Sequence, residues 1–262
     1  MIIAQITDLH AGRHVETPAG TLDTFAALER AVDHLNALEP APDVVLATGD
    51  LSHDTGPADY LRLKAALARL DMPLFVIPGN HDDRANLRAA FASDGYLPAE
   101  GGFLHYVVEG HPLRLIALDT TIPGEEAGEL CLERLAWLEA RLAEAPERPT
   151  VVFMHHPPFE TGIPFFDRIG CRGGAAMGEI VQRHPRIEAV LCGHVHRAIT
   201  LRWHGTVVQV TPATGYQYPL QLLDTEGIAA VLEPPACRIC LWTPGVGLVS
   251  HLSYIDSHGS AR

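Results

Sequence analysis

The sequence predicts an α/β fold with a mixed sheet, and three observations carry that expectation. Short apolar runs alternate with stretches of helical period along most of the chain. Two neighbouring runs, residues 103–108 and 113–119, are separated only by Glu109-Gly110-His111-Pro112, which suits a hairpin and so an antiparallel pair within the sheet. Five short segments that follow apolar runs hold Asp, Asn or His: Asp8-Leu9-His10, Gly49-Asp50, Gly79-Asn80-His81-Asp82, His155-His156 and Gly193-His194-Val195-His196.

In chain order, the runs at residues 2–7, 43–48, 74–78, 114–118, 151–154 and 189–192 read as strands, each a buried-type stretch bounded by turn residues or polar groups. Phe25, Leu28, Val32 and Leu35 recur at three-and-four spacing before Pro40 and predict a helix. Leu61, Leu63, Leu67 and Leu70 mark a second, less regular one; Leu132, Leu135, Leu138 and Leu142 mark a third after the loop at residues 124–128. Beyond His196 the texture changes to strand-like pieces at residues 201–203, 206–210, 237–242 and 248–254, separated by Gly and Pro. No internal repeat or low-complexity linker interrupts the chain. The division expected is a catalytic core over residues 1–200, then residues 201–262 as strands completing the architecture plus a small C-terminal extension.

Composition narrows the function classes. With 262 residues, 47% of them hydrophobic, the chain can bury a full core. Lys+Arg 19 against Asp+Glu 32 gives a formal charge of -13, which opposes attraction to nucleic-acid polymers or anionic membrane surfaces, since both need clustered basic side chains. Small phosphate esters are not excluded, because a bound metal sets its own local field. Residues 1–8 are apolar but too short for a signal sequence and lack a basic leader, and no apolar run approaches the roughly 20 residues of a membrane span. Five cysteines, an odd number, fit a reducing compartment better than a disulfide framework. The location expected is the cytoplasm.

Each polar segment alone is weak. Asp-x-His is commonly a turn or cap, and Gly-Asp and Gly-Asn are turn dipeptides. The pair His194 and His196 is stronger, because alternate residues of an extended segment point the same way. Together they are strong: in an open α/β sheet the carboxyl ends of strands open into one crevice, so side chains far apart in sequence converge there. Carboxylate, amide and imidazole ligands without cysteine suit two Mn, Fe, Zn or Co ions.

These segments resemble the calcineurin-like metallophosphoesterase motif set. Within that superfamily, Ile6-Thr7-Asp8-Leu9-His10, Ile77-Pro78-Gly79-Asn80-His81-Asp82-Asp83, Met154-His155-His156-Pro157-Pro158 and Cys192-Gly193-His194 are similar to the bacterial class III cyclic-nucleotide phosphodiesterases and glycerophosphodiesterases. The resemblance covers roughly residues 1–200. It implies a four-layer α/β/β/α sandwich, two mixed β-sheets flanked by helices, with a dinuclear metal centre at the strand ends. It assigns Asp8, His10 and His196 to one metal, Asn80, His155 and His194 to the other, and Asp50 as the bridge. A carboxylate has two oxygens to share, whereas the neutral amide of Asn80 is a weak ligand that makes the second ion labile. By the same resemblance His81 lies beside the substrate, stabilising the transition state or protonating the leaving oxygen, and Asp50 and His81 are the catalytic pair.

The implied reaction is in-line attack of metal-activated water on a small phosphodiester, a 3',5'-cyclic nucleotide such as cAMP or a glycerophosphodiester, by a metal-dependent phosphoric diester hydrolase. Alternatives are a phosphomonoesterase or nuclease of the same superfamily, or a non-catalytic docking scaffold. A scaffold loses ligands, whereas all seven are present here. Family members are commonly dimers or larger assemblies, and the apolar stretch at residues 241–254 could cover a neighbouring subunit. The protein-phosphatase pattern has further Arg residues around its Gly-Asp and Gly-Asn-His-Glu motifs, where this chain has Gly49-Asp50-Leu51-Ser52-His53-Asp54 and Gly79-Asn80-His81-Asp82.

The remaining polar features take plainer readings. Neighbours on a strand face oppositely, so only one of His155 and His156 is expected to point into the crevice; the resemblance selects His155 and leaves His156 as a support or a substrate contact. Asp82 reads as the cap of the helix that begins beside it, and Arg84 and Arg88 as an exposed helical face. Cys237 and Cys240 have knuckle spacing but alternate with apolar residues, which suits structural cysteines on a strand. His14, His34, His53, His105, His111, His184, His204, His251 and His258 read as solvated or core-edge histidines. Tyr216, Gln217 and Tyr218 could approach the crevice from the C-terminal side, where aromatic stacking would suit a nucleobase.

Overall fold

Alternation along the central strands settles the layering. On β1 (Ile2–Ile6) Ile3 points one way and Ala4 and Ile6 the other; on the next core strand Val44 and Leu46 oppose Val45 and Ala47. Both faces are apolar and buried, so both must be covered. The computed structural model describes residues 1–17 and 20–255. After β1 come β2 (His14–Thr17), β3 (Gly20–Asp23), α1 (Thr24–Asn36), β4 (Val44–Thr48), α2 (Pro57–Leu67), β5 (Leu74–Ile77) and α3 (Arg84–Phe91). The second half holds β6 (Tyr106–Val108), β7 (Arg114–Leu118), β8 (Gly128–Glu129), α4 (Leu132–Glu144), β9 (Thr150–Met154), α5 (Pro164–Arg168), β10 (Cys171–Arg172) and α6 (Gly174–Arg183). It closes with β11 (Ile187–Cys192), β12 (Ile199–Trp203), β13 (Thr206–Val210), β14 (Ala236–Thr243) and β15 (Gly247–Tyr254).

One sheet has the order β15-β14-β1-β4-β5 and the other β12-β13-β11-β9-β7-β6. Both are mixed. Parallel cores, β1-β4-β5 and β7-β9-β11-β13, carry antiparallel partners at β14, β6 and β12. The hairpin expected before residue 119 is β6-β7.

Three apolar slabs separate the four layers. Ala4, Ile6, Val45 and Ala47 meet Leu28, Val32 and Leu35 of α1, Leu63 and Leu67 of α2, and Leu87 and Phe91 of α3. Ile116, Leu118, Val152, Met154 and Val190 meet Leu135, Leu138 and Leu142 of α4 and Met177, Ile180 and Val181 of α6. Between the sheets, Ile3, Val44, Leu46 and Ile77 face Leu115, Ala117, Val151, Phe153, Ala189 and Leu191. The four-layer sandwich of two mixed sheets is therefore the observed fold. Cys237 falls in an outer slab and Cys240 in the central one, so the two thiols face opposite ways. All five cysteines are free.

Two helix positions correct the sequence reading. Leu61 is 62% exposed and Leu132 is 86% exposed. On a helical wheel Leu61 lies about 125° from the stripe that α2 buries through Tyr60, Leu63 and Leu67, and Leu132 about 90° from that of α4. Tyr60 takes the place expected of Leu61. The sequence reading also passed over α5 and α6, and the two-stranded pairs β2-β3 and β8-β10.

The central slab turns polar at the carboxyl ends of the strands. Gln5 Nε2 donates to Thr48 Oγ1 at 2.8 Å and to the Cys192 carbonyl at 2.9 Å, while Thr211 Oγ1 donates to Gln5 Oε1 at 2.6 Å. This buried bridge joins β1 and β4 to β11 and the segment after β13, and immediately beyond it lies the candidate site. Among the described residues no helix is long and apolar enough to cross a membrane.

Candidate metal centre

The chain leaves β1, β4 and β11 through unusual backbone. Asp8, His10, Asp50, His194 and His196 all have φ between 41° and 71°, the left-handed region that non-glycine residues avoid. Each such residue costs about 1 kcal/mol or more, and strain of that kind gathers where function requires it. The sequence expectation that His194 and His196 lie on an extended segment does not hold, since both sit in a tight loop after β11. The left-handed turns, not strand alternation, bring them to one place.

Glycines set how closely these loops approach. A Cβ on Gly193 would overlap Thr7 Oγ1 and the Asp8 carboxylate, and one on Gly79 would overlap the amide and carboxylate of Asp50. Their neighbours in sequence, His194 and Asn80, are thereby pressed into the site.

All seven side chains singled out as ligands converge, in two groups. His10 Nε2 lies 3.1 Å from His196 Nε2, and His196 Nε2 lies 3.4 Å from Asp8 Oδ1. Asn80 Oδ1 lies 3.2 Å from His155 Nε2 and 3.1 Å from His194 Nδ1. Asp50 stands between them: Oδ2 is 3.6 Å from His10 Nε2 and Oδ1 is 3.4 Å from His155 Nε2. Aspartate and histidine atoms at such spacing form clusters able to hold cations.

Hydrogen bonding fixes which atoms face inward. A backbone carbonyl can only accept, so His155 Nδ1 must donate to Thr48 O (2.8 Å), His194 Nε2 to Ile169 O (3.2 Å) and His196 Nδ1 to Tyr216 O (2.9 Å). His194 and His196, which burial keeps neutral, then turn a bare lone pair toward the centre, and His155 presents one once it gives up its second proton, the arrangement by which proteins orient metal-binding imidazoles. Carboxylate and amide oxygens meet those lone pairs. A cation satisfies such a set of acceptors. The chemistry of the donors therefore fits divalent metal ions.

The electrostatics carry the same tension. Burial pushes the Asp8 carboxyl up to about 7, with the Asp50 charge adding to the rise. Burial works the same way on Asp50, yet His155 and its hydrogen bond, with His10 and His81, hold that carboxyl well below the usual range. For His155 burial opposes charge, but the Asp50 carboxylate and its hydrogen bond, with Asp8 and the Thr48 carbonyl, together outweigh it and lift the imidazolium to about 9. Burial lowers His10, His194 and His196, the latter two to about 3 and about 4.

The calcineurin-like phosphoesterase family model matches residues 1–198, about three quarters of the chain and the whole of this centre. The chain belongs to that family. A probable glycerophosphodiester phosphodiesterase, GpdQ, of Arcobacter nitrofigilis is 34% identical over 256 residues, 97% of this chain and 93% of that protein. The 3',5'-cyclic adenosine monophosphate phosphodiesterase CpdA of Escherichia coli is 30% identical over 216 residues, 82% of this chain and 77% of that one. Among solved structures, a dimetal phosphatase from Danio rerio superposes with a TM-score of 0.63 at 14% identity, covering 98% of this chain and 99% of that one, a likeness of fold. Calcineurin-like phosphoesterases are hydrolases that use divalent metals, and this chain is an enzyme of that class.

Around the centre of this phosphoesterase, His81, Glu126, Phe165, Phe166, Ile169 and Tyr218 line the crevice together with the converging ligands. The His81 amide donates to Asp50 Oδ1 at 2.9 Å and its ring stands 4.8 Å from that of His10. Tyr216 and Tyr218 bring their rings to 4.8 and 4.9 Å from His196, while Gln217 turns away to bond both backbone groups of Ala213.

Three neighbours escaped the sequence reading. Asp82 does not cap the helix; Asp83 does, accepting from the Asn86 amide. Asp82 instead accepts from the amides of Leu51, Ser52 and Gly79 and from the Tyr60 hydroxyl, tying the Asp50 loop to the Asn80 loop. Arg84 is not on an exposed face but grips Asp119 through Nε and Nη2. His53, read as solvated, stands 6.1 Å from His81 and 6.3 Å from His10 between ring centroids, with Nδ1 buried and unpartnered. Two adjacent aspartates made the cap ambiguous, and a histidine beyond the Gly-Asp segment carried no positional signal. His258 lies outside the described residues.

Proposed function

We propose that this chain is a binuclear metal-dependent phosphodiesterase acting on small phosphodiesters. The observation that carries the reading is the inward convergence of acceptor atoms in two sets with a carboxylate between them. Asp8, His10, His196 and Asp50 Oδ2 would hold one ion; Asn80, His155, His194 and Asp50 Oδ1 the other. Bound there, divalent ions supply positive charge against the phosphoryl oxygens and lower the pKa of water into the neutral range. Mn, Fe, Zn and Co all suit this mixed set.

The chain's own groups do the rest. Asp50 and the carbonyl-anchored histidines present fixed lone pairs, so no reorganisation is needed as charge develops. His81, partly open to the crevice and held through its amide by Asp50, donates a proton to the departing alkoxide oxygen. Asp82 and Tyr60 keep the Asp50 and Asn80 loops in register. Phe165, Phe166, Ile169 and Tyr218 form an apolar wall suited to the organic part of a diester. Relatives named as phosphodiesterases, spanning 93% and 77% of their own lengths, support a diester over a monoester. The same reading assigns residues 1–200 to the catalytic core and residues 201–262 to completing strands and a C-terminal extension.

The test is a panel of cAMP, cGMP, 2',3'-cyclic nucleotides, glycerophosphoethanolamine and phosphomonoesters on purified enzyme. A diester should lead in kcat/KM. Preference for monoesters, or no turnover of any member, would refute the assignment.

A further inference from the structure

His156 is fully buried beside the centre, and both of its ring nitrogens have protein partners. Nε2 must donate to the Glu126 carbonyl at 3.1 Å, so Nδ1 is bare and accepts from Thr120 Oγ1 at 2.7 Å. Burial keeps the ring neutral, which this donor-and-acceptor arrangement requires. Its ring centroid lies 4.5 Å from that of His194, and the chain at Gly128 lies so close that a Cβ would overlap the imidazole.

Glu126 belongs to a lobe spanning residues 122–127. Its base is closed by pairing of Thr121 with Gly128 and by Arg84 and Arg134, which both donate to the Thr121 carbonyl. The tip has less support. Among the described residues two bonds reach it from outside: the Arg172–Glu125 pair and the His156 bond to Glu126. The first is exposed at both ends, and such pairs contribute about 0–1 kcal/mol. The second comes from a buried donor. Because Glu126 lines the crevice together with Phe165, Phe166 and Tyr218, whatever holds the tip helps set the shape of the substrate pocket.

We propose that His156 is a positioning residue that pins the 122–127 lobe as a wall of the substrate crevice, setting affinity for the organic part of the diester without touching metal or substrate. The kinetic half of this inference rests on the phosphodiesterase reading. His194 has its own anchor at the Ile169 carbonyl, so loss of the His156 bond leaves the ligand in place.

Two side chains separate the two bonds. In His156→Asn the amide can replace Nδ1 toward Thr120 but stops short of Glu126; in His156→Gln it reaches the position of Nε2. His156→Asn should raise KM for the preferred diester about tenfold or more, leave kcat within about twofold and speed amide hydrogen exchange across residues 122–127, while metal content is retained. His156→Gln should restore both KM and exchange protection. Thr120→Val, which removes the hydroxyl that holds Nδ1 and so orients the ring, should speed the same amides and provides the readout should the asparagine variant not fold. Equal behaviour of Asn and Gln variants, or a fall in kcat with KM and exchange unchanged, would overturn the proposal. If wild type turns over no diester, the functional reading fails while exchange in the variants still decides whether His156 holds the lobe.

Discussion

The two sheets contribute unequally to the centre. The five-stranded sheet delivers Asp8, His10, Asp50 and Asn80, and so every oxygen; the six-stranded sheet delivers His155, His194 and His196, nitrogen only. Within each group, atoms from the two sheets lie 3.1–3.4 Å apart. Neither sheet alone offers a complete coordination shell. The difference teaches that the site is a product of sheet apposition, so metal binding and the packing of the central slab are one equilibrium seen from two sides.

The largest test removes the side chain that both groups share. Asp50→Ala should lower kcat/KM by about 10³-fold or more and reduce bound metal, because one oxygen is withdrawn from each set. An Asn80→Ala change should be milder, weakening only the second group; equal losses would break the two-set picture.

Acid probes the six-stranded side. His105 precedes β6, stacks 4.9 Å from Trp137 of α4, and accepts from the Asp119 amide through Nδ1. Burial holds it down to about 4. A histidine whose folded value lies below its unfolded one contributes stability that is fully present above about 6.5 and is lost as pH falls toward 4. Denaturant titrations across that window should lose on the order of 3 kcal/mol through this group. His105→Asn, which keeps an acceptor, should flatten the dependence; an unchanged slope would remove His105 from the account.

Chelation comes next. If ions link the sheets, their removal should lower stability by about 2.7 kcal/mol relative to protein held at a hundredfold excess over Kd, read as a fall in Tm. In Asp50→Ala that difference should shrink.

Smaller still is close approach. Gly193→Ala forces a methyl group from the six-stranded sheet into Thr7 and Asp8 of the other and should cost about 1–3 kcal/mol with a matching loss of metal affinity. Tyr60→Phe, which removes a hydroxyl bonded to Asp82 and to the Asp83 amide within the five-stranded half, should cost about 1–2 kcal/mol. An affinity loss confined to Tyr60→Phe would place the critical spacing within one sheet instead of between them.

What the sequence made legible follows the same contrast. The central strands could be read because both faces of β4 and β9 are apolar, and the converging residues because polar groups directly follow such runs. The layering entered through family resemblance and became physical only with the three slabs. The left-handed turns at Asp8, Asp50 and His194 were invisible, since no composition signal marks a strained non-glycine residue. Helix α6 was missed because Gly174, Ala175, Ala176 and Gly178 dilute its stripe of Met177, Ile180 and Val181, and α5, with five residues, is too short to display a period. Asp82 and His53 act through contacts with residues more than twenty positions away or across the site, which local pattern cannot encode.

The central claim is that the seam between the sheets holds two divalent ions that make hydrolysis possible. It is tested most directly by chelating the protein and titrating back Mn²⁺ while following bound metal and bis(p-nitrophenyl) phosphate turnover together. Turnover should appear with metal, level off near two ions per chain, and stay absent in Asp50→Ala. Full turnover by the chelated protein, or equal rates in wild type and Asp50→Ala, would contradict the account.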